Sequence, residues 1–269
     1  MAGSFLGSEE YDERAHRLFD DGEYDLALDT LKEGLTLHPS SVELFVGLGY
    51  TRLAREEFVW AKHAFERAIV LDPEHEDAYA GLGEVLLRFG QHERALQVFA
   101  RARELCGHDL ELLLQMGRAL YRDGRFPDAH LYFTMAVLSD DNSAEAAAAL
   151  GYTLYRIGEV DEARREVLRS LRLDKQNHEA RIYLGHILYD SGDWHGALLQ
   201  FQYVPPHEYW DALAVARVIE LKRALKGAEP GGNELAQWRG RLDALDGRGD
   251  PIAALLESIG ATVRPADER

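Results

Sequence analysis

The chain has 269 residues, 46% of them apolar, and carries 47 acidic against 30 basic side chains for a formal net charge of −17. That apolar content is ample for a core. The negative balance disfavours nucleic acid and anionic membranes as partners, because phosphate attraction needs an excess of Lys and Arg, and it suits solubility and a partner with basic segments. Cys106 is alone, so no internal disulfide is possible and a reducing cytosol is the expected compartment. Residues Met1 to Gly7 lack the basic stretch and apolar run of a secretory signal, and no apolar run approaches membrane-spanning length. A cytoplasmic chain is therefore expected, and 25 Arg against 5 Lys points to a GC-rich, bacterial genome.

After an N-terminal tail of residues 1–7, a glycine returns every 34 positions: Gly49, Gly83, Gly117, Gly151 and Gly185. Ala27, Ala61, Ala95, Ala129, Ala163 and Ala197 keep step with it. A fixed period of this length marks stacked helical hairpins whose units touch only their neighbours. Counted from residue 8, the units are 8–41, 42–75, 76–109, 110–143, 144–177 and 178–211. Places 4, 7, 8 and 11 of each unit lie at i, i+3, i+4 and i+7, one face of a helix. Leu48, Leu82, Met116, Leu150 and Leu184 hold place 7. A second stripe runs through places 20, 24 and 27, as in Ala61, Phe65, Ala68 and Ala95, Phe99, Ala102. Each unit thus predicts two amphipathic helices. A helix-interior Gly costs about 1 kcal/mol relative to Ala, so five in register imply a compensating close approach. The crossing is expected where place 8 of the first helix meets place 20 of the second.

Between the two helices, Gly22, Gly90, Gly124, Gly158 and Gly192 at place 15 supply a left-handed cap. Glu56 interrupts that series and predicts a different turn geometry in the second unit. Tyr24, Phe126, Val160 and Trp194, two positions later, are expected to plug the hairpin base. Pro39 and Pro73 stop the second helices, and Ser41, Asp109, Ser143 and Asn177 are N-caps for the next first helices. At place 2 every unit has an acid: Glu9, Glu43, Asp77, Glu111, Glu145 and Glu179. The helix dipole accounts for acids in a first turn; a ligand-binding role for the ladder is the alternative.

Gly/Ala at place 8, Leu/Tyr at 11, Ala at 20, Phe/Leu at 24, Ala at 27 and Pro at 32 in a 34-residue helix–turn–helix resemble the tetratricopeptide (TPR) repeat. The resemblance covers residues 8–211. It departs at place 4, where Tyr11, Phe45 and Tyr79 give way to Leu113, Ala147 and Arg181, and at place 32, where the Pro is missing from the third unit onward. It implies an all-α, right-handed α-solenoid and a class of work, the binding of other proteins. In the family, first helices line a concave surface through places 2, 5, 9, 12 and 13. Here these give Leu114 and Ile182 at place 5; Tyr50, Arg118, Tyr152 and His186 at place 9; Tyr121, Tyr155 and Tyr189 at place 12; and Arg88, Arg122 and Arg156 at place 13. Tyr and Arg dominate binding hot spots, and Arg forks onto carboxylates. An apolar, aromatic groove crossed by an arginine column is therefore expected to grip an extended or helical segment with apolar and acidic side chains at repeats three to five. The alternative is that each Arg is scaffold, paired to a nearby acid. The Lys at place 5 and Asn at place 9 used by family members that hold heat-shock chaperone tails are missing.

The repeat frame fails at Pro205-Pro206. A capping helix is expected within 207–227, from His207 to Leu225, with Trp210 on its apolar face. It would cover the last repeat's open flank. Gly227 to Gly232 reads as a turn, and the extension 228–269 as two helices, Glu234–Leu245 and Ile252–Ile259. These would extend the cap, fold across the groove or join a second subunit in a homo-oligomer. Arg248-Gly249-Asp250 reads as a turn.

The sequence offers no catalytic constellation. His-Glu pairs lack the second His of a helical zinc site, the Gly-Leu-Gly triplets lie within predicted helices, and there is neither a phosphate-cradling Gly-Lys-Ser/Thr nor a Gly-x-Ser-x-Gly elbow. No enzyme, cofactor or metal is expected. The reading is a protein-binding scaffold or adaptor; a client-specific chaperone and a regulatory subunit are the alternatives.

Overall fold

The computed structural model describes residues 7–227 and 232–246. They fall into two compact units that divide between Asp141 and Asn142. The first contains α1 (Ser8–Asp20), α2 (Tyr24–Leu37), α3 (Val42–Ala54), α4 (Phe58–Leu71), α5 (Glu76–Arg88), α6 (His92–Cys106), α7 (Leu110–Arg122) and α8 (Phe126–Ser139). The second contains α9 (Ala144–Ile157), α10 (Val160–Leu173), α11 (His178–Asp190), α12 (Trp194–Gln202), a 3-10 turn (Pro206–Glu208), α13 (Ala212–Lys226) and α14 (Asn233–Asp246). No strand occurs among the described residues. The fold class is all-α, built of tandem helical hairpins of the α-solenoid type. Within the first unit α1/α2, α3/α4, α5/α6 and α7/α8 pair, and the first helices also pack on one another, α1 with α3, α3 with α5 and α5 with α7. Within the second unit α9/α10 and α11/α12 pair and α9 packs on α11.

In most repeats the nearest neighbour of the small residue at place 8 is a ring that the sequence reading did not assign to it. A Cβ added to Gly49, Gly83 or Gly117 would fall 2.5 Å from the ring of Phe65, Phe99 or Phe133, and one on Gly185 would fall 2.3 Å from Phe201. Those rings stand at place 24 and are fully buried. The missing side chain therefore seats an aromatic ring from the facing helix, the kind of shape match that fixes a unique core. In the fifth repeat, whose place 24 holds Val167, the backbone at place 20 is itself among the nearest neighbours: a Cβ on Gly151 would lie 3.2 Å from the Ala163 carbonyl oxygen. Phe65 also serves the next repeat, since a Cβ on Gly81 would fall 2.2 Å from it.

The boundaries follow from capping. The side chains of Ser41, Asp109, Ser143 and Asn177 each accept a hydrogen bond from the backbone N–H three residues on. Gly22, Gly90, Gly124, Gly158 and Gly192 all have positive φ. Glu56 corrects the expectation of another turn: it takes the same left-handed conformation, φ 60°. Its N–H donates to the Leu53 carbonyl (3.0 Å) and that of Glu57 to Arg52 (2.8 Å), the bonds that Gly90 and Gln91 make to Leu87 and Leu86. The helix-ending bonds dictate the backbone there, whatever the side chain. Tyr24 and Phe126 do pack at the hairpin base, their rings 5.2 and 5.1 Å from Phe19 and Tyr121. Val160 and Trp194 are exposed instead.

Past the repeats, the helix expected from His207 begins at Ala212. Pro205 is extended, Pro206–Glu208 form the 3-10 turn, and Asp211 caps the Leu213 N–H at 2.9 Å. Trp210 is consequently outside the helix and half-exposed, while Tyr209 is fully buried, donating to the Phe201 carbonyl at 2.6 Å. α13 packs on α12 and α11, and α14 on α13 and the 3-10 turn, with Trp238 edge-on to Tyr209 at 5.2 Å. The expected helix Ile252–Ile259 and the Arg248-Gly249-Asp250 turn lie outside the described residues.

Candidate functional site

A concave cleft of about 530 Å³ opens on the first unit. It is built almost wholly from first helices. Asp12, Ala15, His16, Phe19 and Asp20 come from α1, Glu43, Val46, Gly47, Tyr50 and Thr51 from α3, Asp77 from α5, and Glu111 and Gln115 from α7. Leu31 and His75 complete it. The repeat dictates this convergence: one helical face, presented once per 34 residues, is brought side by side by the stacking. The floor is apolar. Its charged lining is one-signed: five carboxylates and no Lys or Arg, beside two histidines and the neutral polar Tyr50, Thr51 and Gln115. Tyr50 anchors the middle, its ring edge-on to Phe65 at 4.9 Å and its hydroxyl donating to the Asp77 carbonyl oxygen at 2.9 Å. Burial pushes the Tyr50 hydroxyl well above its usual range, so it is a neutral donor. Burial also raises the Asp77 carboxyl, and the charges of Glu76, Asp109 and Glu111 add to this against the opposing effect of His75. The Asp12 Oδ1 and His75 Nδ1 atoms are buried without a hydrogen-bond partner.

A second, smaller cleft of about 330 Å³ adjoins it, lined by Phe19, Tyr50, Leu53, Phe58, Glu84, Arg88 and Arg122 among others. Here the two expected arginines converge on one acid. Arg122 Nη2 donates to Glu84 Oε1 at 2.6 Å, and Arg88 lies 4.0 Å from the same oxygen. Glu84 is only 7% exposed. These arginines behave as the paired scaffold alternative describes. Leu114 is buried and Arg118 and Tyr121 are half-buried on α7.

In the second unit Tyr152 and Ile182 are buried, Tyr152 stacked on Tyr183 at 4.4 Å. Tyr155 donates to Asp190, and Arg156 is exposed on α9. His186 is 3% exposed, and α13 and its cap cover it. Its Nε2 lies 2.6 Å from Asp211 Oδ2 and its Nδ1 2.7 Å from Arg217 Nη1. A guanidinium only donates, so Nδ1 accepts and Nε2 carries the proton toward Asp211. Arg217 also bonds Asp190 at 2.7 Å and lies over the Tyr189 ring at 4.4 Å. The Tyr189 hydroxyl donates to Glu220 at 2.7 Å, and burial with that bond pushes it up to about 12. The structure thus brings His186, Tyr189 and Asp190 together under α13. Sequence reasoning missed Arg217, which belongs to no repeat place, and Asp211, which stands at place 34 of the sixth unit, the N-cap place of Ser41, Asp109, Ser143 and Asn177. It placed the acids of place 2 on the groove side but explained them by the helix dipole rather than by a ligand.

Helical hairpins repeating at 34 residues, with small residues seating facing rings, define a helical-repeat protein. The chain belongs to the tetratricopeptide repeat family, whose model matches residues 52–109, 114–178 and 150–209. It is similar in fold to a tetratricopeptide repeat protein of Parabacteroides merdae (TM-score 0.66, 15% identity, covering 96% of this chain and 99% of that one). It is similar also to Pseudomonas aeruginosa pilF (TM-score 0.59, 18% identity, 76% and 88%) and to a thermophilic TPR protein of Thermus thermophilus (0.57, 21%, 68% and 100%). At these identities the likeness is one of fold alone. Among curated proteins none matches. No described helix is long and apolar enough to cross a membrane.

Proposed function

We propose that this chain is a non-enzymatic scaffold or adaptor that holds a segment of a partner protein against its first helices. The observation that carries this is the open cleft on the first unit, formed by four successive first helices around an apolar floor. A surface assembled from successive repeats tracks an extended or helical chain better than it encloses a small substrate. The arginines expected to carry recognition contribute less, since Arg122 and Arg88 already face Glu84. Leu114, Tyr152, Ile182 and His186 are sealed in the interior. Exposed positions on the first helices therefore carry the contact.

The test is site-specific photo-crosslinking in the native cell. A crosslinking residue at His16, exposed at the cleft, is compared with one at Val70 on α4. The same discrete adduct from His16, missing from Val70, is expected. Identical adducts from both positions, or none from His16, would reject the reading.

A further inference from the structure

We infer that the cleft of the first unit takes a positively charged segment of its partner, Lys or Arg side chains flanked by apolar ones. This deepens the protein-binding reading and rests on it. The first observation is charge. Asp12, Asp20, Glu43, Asp77 and Glu111 all line the cleft. None of the five has a Lys or Arg within ion-pair distance; Asp12 has only His16, at 3.7 Å, and the Glu43 carboxylate only the Ser41 hydroxyl, at 2.9 Å. The adjoining small cleft shows the opposite arrangement, its acid Glu84 met by Arg122. The contrast within one surface separates a neutralised scaffold from an unmatched one.

The second observation is the pairing deficit. Asp12 Oδ1 is buried with no donor, where buried acceptors are normally satisfied, and the other oxygen of this partly exposed side chain, Oδ2, has only the His16 ring at 3.7 Å. An ammonium or guanidinium supplies donors and opposite charge together. The third is the floor: Ala15, Phe19, Leu31, Val46 and Tyr50 offer apolar area beside the carboxylates, which suits the methylene stems of Lys and Arg and their apolar neighbours. A raised Asp77 carboxyl fits a site awaiting a cation. A metal ion is a poorer occupant, because no group of three or more His, Cys, Asp or Glu among the described residues is close enough to ligate one. Phosphate-bearing partners are repelled.

A phage-displayed random 12-residue library, selected on the immobilised full chain, tests this. Synthetic copies of the selected peptides are then titrated by fluorescence anisotropy against the wild type, the exposed pair Glu43→Gln/Glu111→Gln, and Asp77→Asn. Thermal melts verify that each variant is folded. The expected result is Lys- and Arg-rich peptides whose affinity falls roughly tenfold in the double variant and falls steeply with salt. Acidic or neutral winners, or basic winners bound equally by the folded variants, would overturn the inference and leave the protein-binding reading standing. A dimer in sedimentation that the double variant dissociates would overturn it too, since the occupant would then be a second copy of the chain. No selected peptide at all, together with no crosslink from His16, would remove both.

Discussion

Glu56 shows how far a turn's hydrogen bonds can overrule a side chain. It holds φ 60° where every other hairpin turn described has glycine. A left-handed residue with a Cβ costs about 1–2 kcal/mol, and glycine returns part of that as chain entropy, roughly 0.5–1 kcal/mol. Glu56→Gly is therefore expected to stabilise the protein by about 0.5–1 kcal/mol, raising the thermal midpoint. A midpoint that falls would show that the carboxylate makes a contact worth more than the strain. Sequence reading found the departure at this position but gave it the wrong consequence. Periodicity reveals that a glycine is missing; it does not reveal that the closing bonds from Glu56 and Glu57 survive without it.

Two carboxylates on helix ends of different units carry opposite pH signatures. Burial pushes the Asp211 carboxyl up, but bonds from His186 and from the backbone N–H groups of Leu213 and Ala214 outweigh this, and the net shift is down. Its folded value lies below the usual Asp range near about 3.9. Its contribution is therefore present above that pH and lost as pH falls through the lower folded value. Asp77 is shifted up. Its contribution is complete below the ordinary value and lost as pH rises through the raised one, so at neutral pH its charge is a liability. Asp77→Asn is expected to raise the melting midpoint at pH 7 and to leave it near wild type at pH 3. Asp211→Asn is expected to lower it at pH 7, with the difference shrinking toward pH 3. Melts at the two pH values check both signs, and an Asp77→Asn midpoint that drops at pH 7 would contradict the assignment.

At the level of the whole molecule, a net charge of −17 means that long-range repulsion opposes the folded state. Salt screens it within about 10 Å at 0.1 M. Raising NaCl from about 20 mM to about 500 mM is expected to lift the melting midpoint by roughly a few degrees, because the exposed ion pairs that salt weakens are individually worth little. A midpoint that fell with salt would place the balance with those pairs instead. The hairpins, the N-caps Ser41, Asp109, Ser143 and Asn177, and the buried place-20 alanines were all legible in the sequence, since each depends on neighbours a few positions away. The candidate site was legible only in part. Place 5 reads as groove-facing, and Asp12 and Val46 line the cleft, while Ala80, Leu114, Ala148 and Ile182 are buried where consecutive first helices within a unit pack on each other. Glu43, Asp77 and Glu111 were seen, but a one-dimensional pattern could not show that stacking sets them round one hollow. Nor could it show that Arg122, 38 residues away in the chain, would reach Glu84.

The ladder of place-2 acids has a metric meaning. Glu43, Asp77 and Glu111 stand one per repeat along the hollow, so the distance between successive teeth is set by helix stacking and by nothing in their own surroundings. On the proposed reading such a comb gauges the interval between charges on the segment that lies across it. A ligand could change every letter of its sequence and keep its place, provided the interval held; sliding a single charge by half a tooth would be the harder change to tolerate.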